Sequence, residues 1–313
     1  MSAQTPPRPR VPVTIVTGFL GAGKTTLMNH VLHGSHGRRL AVLVNDFGAV
    51  NVDASLLRGG GNEIVSLENG CICCNLSDGL VTSAMRLVRL ATPPEHILIE
   101  TSGVSDPIEV ARTFNDPELQ PYAPLDGIVT IVDAELAPTL EDQMAVLARR
   151  QVAAADVVVL NKLDLVGDEG RRRATGWIQE HAPHARLIEA RHGEVPLELI
   201  LGLGGSAGRG TPASADGHRA APAFDTWTYE SSSPLPMRRL HAALSRMPRS
   251  VFRAKGLLYL EEKPEYRCVL QSTAQRAAIT VDSPWGTNEP QSQIVFIGSA
   301  GGVDAEILGA LFE

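Results

Sequence analysis

The sequence lacks several features that would assign it to common functional classes. No apolar run approaches the roughly eighteen residues that a membrane-spanning helix needs, so we expect no membrane partner. The 28 Lys and Arg are outnumbered by 35 Asp and Glu, and the resulting net charge of −7 argues against nucleic acid as the main partner. The first twelve residues are polar and carry four prolines, which does not resemble a secretory signal. We therefore expect a cytoplasmic protein.

Cysteine is also scarce, and its distribution is uneven. Three of the four cysteines, Cys71, Cys73 and Cys74, fall within four residues, and Cys268 lies far along the chain in a strand-like segment that suits core packing. A reducing cytosol disfavours disulfides, and three clustered thiolates suit Zn²⁺ or Co²⁺. No second C-x-x-C pair closes a four-ligand zinc site. The cluster therefore predicts an open metal site; buried thiols used as small apolar residues and a redox-sensing cluster are the alternatives.

Glycine is concentrated where residues 18–25 read GFLGAGKT, a complete G-x-x-x-x-G-K-[ST] phosphate loop. The loop follows a β-branched run at 13–16 and opens a helix-like stretch at 26–32, which is the context that the motif needs. Lys24 can reach the β and γ oxygens of a nucleoside triphosphate, and the Thr25 hydroxyl can bind Mg²⁺. A glycine-rich turn that binds nothing is the alternative. We assign phosphate binding to Gly18, Gly21, Ala22, Gly23, Lys24, Thr25 and Thr26.

The choice of base is predicted by residues 161–164, which read NKLD at the end of a strand-like run at 157–160. Asp164 can accept hydrogen bonds from N1 and N2 of guanine, and adenine has no such donor pair. We assign base binding to Asn161, Lys162 and Asp164, and by position alone to the backbone N–H of Ala190, near guanine O6. A loop whose aspartate caps a helix at 168–181 is the alternative.

Two further acidic residues follow strand-like runs. Glu100 follows the run at 96–99, where P-loop enzymes keep the carboxylate that supports Mg²⁺. Gly103 would let the next segment approach and sense the γ-phosphate. Asp46 follows the run at 40–44, where it would act in a first switch near metal or water. We assign catalysis to Lys24, Asp46 and Glu100, although either carboxylate alone could be an ordinary polar residue at a strand end.

The pattern of apolar runs predicts two domains. Strand-like runs alternate with helix-length stretches over residues 11–201, which indicates a mostly parallel α/β sheet with helices on both faces. The six predicted strands are 13–17, 40–44, 96–99, 127–132, 157–160 and 186–189. Residues 1–10 are expected to form a disordered tail and residues 202–222 a flexible linker. Residues 223–313 predict a smaller α+β domain with five strands, a helix at 234–247 and a closing helix at 303–311.

Taken in order, these motifs resemble the CobW family of P-loop GTPases, which is related to the urease and hydrogenase maturation GTPases. The match includes GFLGAGKT, NDFG at 45–48, NGCICC at 69–74, ETSG at 100–103 and NKLD. Residues 252–256, Trp285 and residues 294–298 are similar to the family's C-terminal module. The resemblance implies a metallochaperone or metal-insertion factor for zinc, cobalt or iron enzymes, with slow GTP hydrolysis. A histidine-rich linker of some relatives is absent, since only His218 lies in this region.

We therefore predict a GTPase that uses GTP and Mg²⁺ to control a thiolate site for zinc, or for cobalt or iron, and releases the ion to a client metalloprotein. No glutamine suited to positioning water and no arginine finger can be assigned, which favours slow turnover. A regulatory GTPase with structural zinc, and a P-loop ATPase or kinase with incidental cysteines, are the alternatives. The sequence leaves the oligomeric state open, and a homodimer is one of the assemblies that it allows.

Overall fold

The computed structural model describes residues 10–34, 37–45, 63–66, 76–201, 224–273, 276–299 and 301–312. The chain divides into two compact units, Met1–Leu201 and Gly202–Glu313. Of the predicted tail only Arg10 is described, and the predicted linker at 202–222 lies outside the described residues.

The first unit is built on a seven-stranded sheet in the order β3-β2-β4-β1-β5-β6-β7. Every pair of neighbouring strands in this sheet is parallel. The strands are rich in Val, Ile and Leu and buried along β1, β4 and β6, as expected where helices cover both faces of a sheet. The strands are β1 Val13–Thr17, β2 Leu40–Asn45, β3 Glu63–Ser66, β4 His96–Thr101, β5 Leu125–Asp133, β6 Val157–Asn161 and β7 Arg186–Glu189.

The predicted parallel sheet is thus confirmed, with one strand more than expected. Strand β3 adds to the edge of the sheet beside β2, and its four residues (EIVS) are too short and too little apolar to stand out in the sequence. Pairing with β2 supplies the backbone hydrogen bonds that this short segment cannot make alone.

In the first unit, each described helix follows a strand along the chain. The helix α3 begins where Asp106 accepts a hydrogen bond from the Ile108 N–H and Pro107 occupies the first turn, a standard start signal. The helix α1 begins at Lys24, two residues earlier than predicted, and no side chain caps it. The helices that the structure describes here are α1 Lys24–His33, α2 Leu76–Val88, α3 Pro107–Phe114, α4 Asp142–Ala153, α5 Asp168–His181 and α6 Leu197–Leu201, with a short 3-10 helix at Ala137–Thr139.

The second unit is a five-stranded antiparallel sheet in the order β11-β10-β9-β12-β8. Leu240 and Leu308, one from each of its two helices, are fully buried in the core formed with the sheet. The expectation of one strand, a helix, four strands and a closing helix is confirmed. The elements are β8 Phe224–Ser231, α7 Met237–Ser245, β9 Val251–Leu258, β10 Tyr266–Thr273, β11 Arg276–Pro284, β12 Ser292–Ser299 and α8 Ala305–Ala310.

None of the helices within the described residues combines the length and the apolar character needed to cross a bilayer.

Candidate nucleotide site

The predicted site residues that the structure describes follow the carboxyl ends of neighbouring strands. The phosphate loop leaves β1, which lies at the centre of the sheet between β4 and β5. Glu100 lies at the end of β4, and the NKLD segment begins at the last residue of β6. In parallel α/β sheets this edge is where ligands bind, because the loops from adjacent strands converge there.

The phosphate loop needs glycine for steric reasons at two positions. Gly18 has a φ of 141°, and a Cβ there would lie 2.2 Å from the carbonyl oxygen of Ile131 on β5. Gly23 has a φ of 109°, and a Cβ there would lie 2.5 Å from Asn161 Nδ2. The close approach of both neighbours therefore fixes the path of the loop, which leads the backbone directly into α1 with its first N–H groups directed at the loop.

Lys24 is buried against its own loop. Lys24 is only 7% exposed, and its Nζ donates to the carbonyl oxygens of Gly18 at 3.0 Å and Phe19 at 3.3 Å. The ammonium is thus held above the loop in the region assigned to phosphate. Thr26 is exposed at the start of α1, and Ala22 is buried under the loop.

The two residues assigned to Mg²⁺ contact each other. The Thr25 hydroxyl donates to Glu100 Oε1 at 3.1 Å, and Glu100 is 1% exposed. Next to them, Thr101 Oγ1 donates to Thr17 Oγ1 at 2.8 Å, which ties the end of β4 to the end of β1. A hydroxyl and a buried carboxylate at this distance are oxygen ligands of the kind that Mg²⁺ prefers, so the residues present fit the ion.

Gly103 lies directly against the phosphate loop. A Cβ on Gly103 would come within 2.8 Å of Leu20 N and 3.0 Å of Leu20 Cα. Only glycine allows the segment after Glu100 to approach the loop backbone this closely. The structure thus brings the predicted γ-phosphate sensor to the phosphate loop.

Asn161 joins the phosphate loop to the loop after β7. Its Nδ2 donates to the Ala22 carbonyl at 3.0 Å, and its Oδ1 accepts from the Gly193 N–H at 3.0 Å. Asn161 is 2% exposed. Its side-chain amide is therefore engaged with protein backbone on both sides, and its part in the site is to hold two loops in register.

Lys162 has a left-handed backbone, with a φ of 62°, and forms an ion pair with Asp133 at 2.8 Å. Asp133 also accepts hydrogen bonds from the backbone N–H groups of Glu135 and Leu136. Asp133 was not among the predicted site residues, although it is an acidic residue directly after a buried strand-like run, as Glu100 is.

The Asp164 side chain is 28% exposed, and His192 Nε2 lies 3.9 Å from its Oδ2. His192 and Gly193 both have left-handed backbones, with φ of 54° and 70°, so the chain turns sharply beside the carboxylate. The carboxylate remains accessible for a ligand, as guanine recognition requires.

The structure contradicts the prediction that the backbone N–H of Ala190 binds guanine O6. The Ala190 N–H donates to the Leu160 carbonyl at 2.9 Å and continues the pairing of β6 with β7. It is therefore not available for guanine O6. Pairing of this residue could not be read from the sequence, because the predicted strand ended one residue earlier. A cleft of about 410 Å³ adjoins the loops that follow β6 and β7, with Leu163 and Ala190 among its lining residues.

Four predicted site residues, Asp46, Cys71, Cys73 and Cys74, lie outside the described residues. Within the described part of the chain, no group of three or more His, Cys, Asp or Glu side chains is arranged to bind a metal ion.

A parallel sheet with a phosphate loop after its first strand and an NKLD segment after β6 defines a P-loop nucleotide-binding protein. Residues 12–189 match the CobW/HypB/UreG nucleotide-binding domain, and residues 224–313 match the cobalamin synthesis protein cobW C-terminal domain. The chain therefore belongs to the CobW family of P-loop GTPases, as the resemblance of its motifs predicted.

Relatives match along nearly the whole chain. The zinc chaperone CobW of a Sinorhizobium species is 31% identical over 92% of this chain and 93% of its own length. The zinc chaperone YjiA of Escherichia coli is 32% identical over 92% of this chain and 94% of its own length. A crystal structure of Zn(II)-bound YjiA GTPase from E. coli is 26% identical, covers 97% of this chain and 98% of that chain, and superposes with a TM-score of 0.48.

Proposed function

We propose that the protein is a GTP-dependent metallochaperone that carries zinc on Cys71, Cys73 and Cys74 and releases it to a client protein when GTP is hydrolysed. The contact between Thr25 and Glu100 carries the nucleotide half of this proposal, because it joins the phosphate loop to the strand-end carboxylate. The metal half is supported by the CICC sequence at 71–74 and by the relatives named zinc chaperones. Cobalt and iron are the other ions that three thiolates would suit.

In the proposed nucleotide site, the loop from Gly18 to Gly23 surrounds the phosphates with backbone N–H groups. Lys24 exchanges the carbonyls of Gly18 and Phe19 for phosphate oxygens, a short move because Nζ already lies over the loop. Thr25 and Glu100 would hold Mg²⁺. When bound, that ion neutralises the charge on the β- and γ-phosphates.

The proposed preference for guanine depends on Asp164. Its partly exposed carboxylate would accept hydrogen bonds from guanine N1 and N2, while Asn161 keeps the base-side loop against the phosphate loop. A base that offers no donors to this carboxylate would leave a desolvated charge without a partner, which is costly.

The strand register supports a coupling between nucleotide and metal. Ser66, the last residue of β3, is in register with Val44, and Val44 is in register with Glu100. Since neighbouring strands are about 4.8 Å apart, Ser66 lies roughly 10 Å from Glu100. The chain therefore leaves β3 on the side of the sheet where the strands have their carboxyl ends and where Glu100 lies, and the three cysteines follow five to eight residues later in sequence. A γ-phosphate that orders the loops on this side would change the metal affinity.

The test is a zinc titration of the full chain in three states: without nucleotide, with GDP and with a non-hydrolysable GTP analogue, all with Mg²⁺. We expect the GTP analogue to tighten zinc affinity roughly five- to hundredfold relative to GDP, and zinc to tighten binding of the analogue by the same factor. A Cys73→Ser, Cys74→Ser double variant is the control and should lose the high-affinity zinc. Equal zinc affinity in the GDP and analogue states would contradict the proposal.

Three further measurements test this function against a GTPase with structural zinc. Chelation should remove zinc from a chaperone and leave it folded, whereas loss of a structural ion unfolds the domain. Hydrolysis without a partner should be slow, and a single turnover of GTP should release zinc to an indicator at the rate of phosphate release. We place this cycle in the cytoplasm, where clustered thiols stay reduced.

A further inference from the structure

A buried amide outside the nucleotide motifs holds the segment that follows Glu100. Gln151 lies on α4 and is 1% exposed. Its Nε2 donates to two backbone carbonyls, those of Gly103 and Ser105, both at 3.1 Å. One side chain therefore engages both donors of its amide with the segment 103–105, which lies far from it in sequence.

The same segment is constrained from its other side by the phosphate loop. Gly103 lies so close to the backbone of Leu20 that a Cβ would come within 3.0 Å of two Leu20 backbone atoms. The position of Gly103 is thus set between Leu20 of the loop and the amide of Gln151. Any movement of Gly103 relative to the loop must stretch or exchange the hydrogen bonds from Gln151.

The arrangement is not the one that would best stabilise a protein core. Gln151 Oε1 and Ser105 Oγ are both buried, and neither has a hydrogen-bond partner among the residues that the structure describes. A buried polar atom without a partner costs about 1–3 kcal/mol. A residue that served only to pack α4 against the sheet would be apolar. The buried amide therefore indicates that the segment 103–105 has to be held in a fixed position.

We propose that Gln151 is a positioning residue for the γ-phosphate: it fixes Gly103 against the phosphate loop and thereby sets how strongly the protein distinguishes GTP from GDP. This inference rests on the proposed GTP site. GDP lacks the phosphate that would meet Gly103, so its affinity depends on the loop and the base side alone. The amide acts through the backbone of Gly103 and does not touch nucleotide.

The test compares the affinities of a non-hydrolysable GTP analogue and of GDP in the full chain and in Gln151→Met. Methionine matches glutamine in length and has no donor for the two carbonyls. We expect the affinity for the analogue to fall at least about fivefold relative to that for GDP, the low end of couplings between sites. Gln151→Asn, which withdraws the amide by one methylene, should shift the same ratio in the same direction and serves as the second variant if methionine prevents folding.

Thr130→Val is the matched control. The Thr130 hydroxyl donates to the Gln151 backbone carbonyl at 2.9 Å, so this variant removes a buried hydrogen bond between β5 and the same residue of α4 and leaves the bonds to the segment 103–105 in place. Substitutions at both positions should lower the melting temperature, but only the Gln151 variants should change the ratio of the affinity for the GTP analogue to that for GDP. A ratio in the folded Gln151 variants within about twofold of the wild type, smaller than a typical coupling, would overturn the inference. Failure of the wild type to bind guanine nucleotides would instead refute the proposed function.

Discussion

The hydroxyl of Thr25 donates a hydrogen bond to Glu100 Oε1 across 3.1 Å, so that two residues 75 positions apart meet at one edge of the sheet. Thr25 is the second residue of α1, and Glu100 is the penultimate residue of β4. Because β4 pairs directly with β1, the strand that feeds the phosphate loop, the contact follows from strand order. It places the two predicted Mg²⁺ ligands side by side.

Glu100→Gln tests the charge in this pair. Glutamine keeps the size of the side chain and an oxygen for the Thr25 hydroxyl, but removes the negative charge. We expect hydrolysis to fall at least about tenfold and half-maximal activity to need more Mg²⁺. Phosphate release across a Mg²⁺ titration measures both. Glu95→Gln, at an exposed carboxylate paired with Arg39, is the control and should behave as wild type. An unchanged Mg²⁺ dependence in Glu100→Gln would remove this residue from the metal site.

Asp164→Asn tests the choice of base. The substitution replaces an acceptor by a donor at the base edge, so we expect GTP affinity to fall by about a hundredfold or more and xanthosine triphosphate affinity to rise. Competition binding with the two nucleotides measures the exchange. Asp168→Asn changes the same charge at the exposed start of α5 and should leave base preference intact. Undiminished GTP binding in Asp164→Asn would exclude the guanine assignment.

Asn161→Ala tests the link between the two loops. It leaves the Ala22 carbonyl and the Gly193 N–H without their partner in a buried place, which should cost about 1–3 kcal/mol of unfolding free energy. GTP and GDP affinities should fall together, because the loops shared by both nucleotides lose their register. Denaturant unfolding and nucleotide titration give the two values. Asn115→Ala, at the exposed end of α3, provides the comparison. Selective loss of GTP alone would contradict a role in joining the loops.

Cys268→Ser tests whether the fourth cysteine takes part in zinc binding. Cys268 is 1% exposed in the core of the second unit, and burial raises the pKa of its thiol, with Asp282 adding to the effect and Lys263 opposing it. A protonated, buried thiol reacts slowly with alkylating reagents. We expect serine to cost about 1–3 kcal/mol of unfolding free energy and zinc stoichiometry to stay unchanged. Loss of one zinc equivalent in a folded Cys268→Ser protein would contradict the assignment to core packing.

The sequence could predict the elements whose signals are local. The loop GFLGAGKT, the NKLD segment and six apolar strands are each defined within about ten neighbouring residues, and the structure places the strands as expected. Strand β3 was not predicted because the four residues EIVS are too short to show a strand pattern, and their pairing with β2 is visible only in the structure. Ala190 was misassigned because the partner of its N–H, Leu160, belongs to another strand.

The sequence by itself determined the class of this protein, since phosphate-loop chemistry requires glycines and a lysine at fixed spacing and guanine recognition requires an aspartate at a strand end. Tertiary structure alone decided which distant side chains support these motifs. Asn161 joins Ala22 to Gly193, Lys162 pairs with Asp133, and Gln151 holds Gly103, in each case across many residues of chain. Such contacts leave no local pattern, because they depend on the order of strands in the sheet, which brings together residues that the sequence keeps apart.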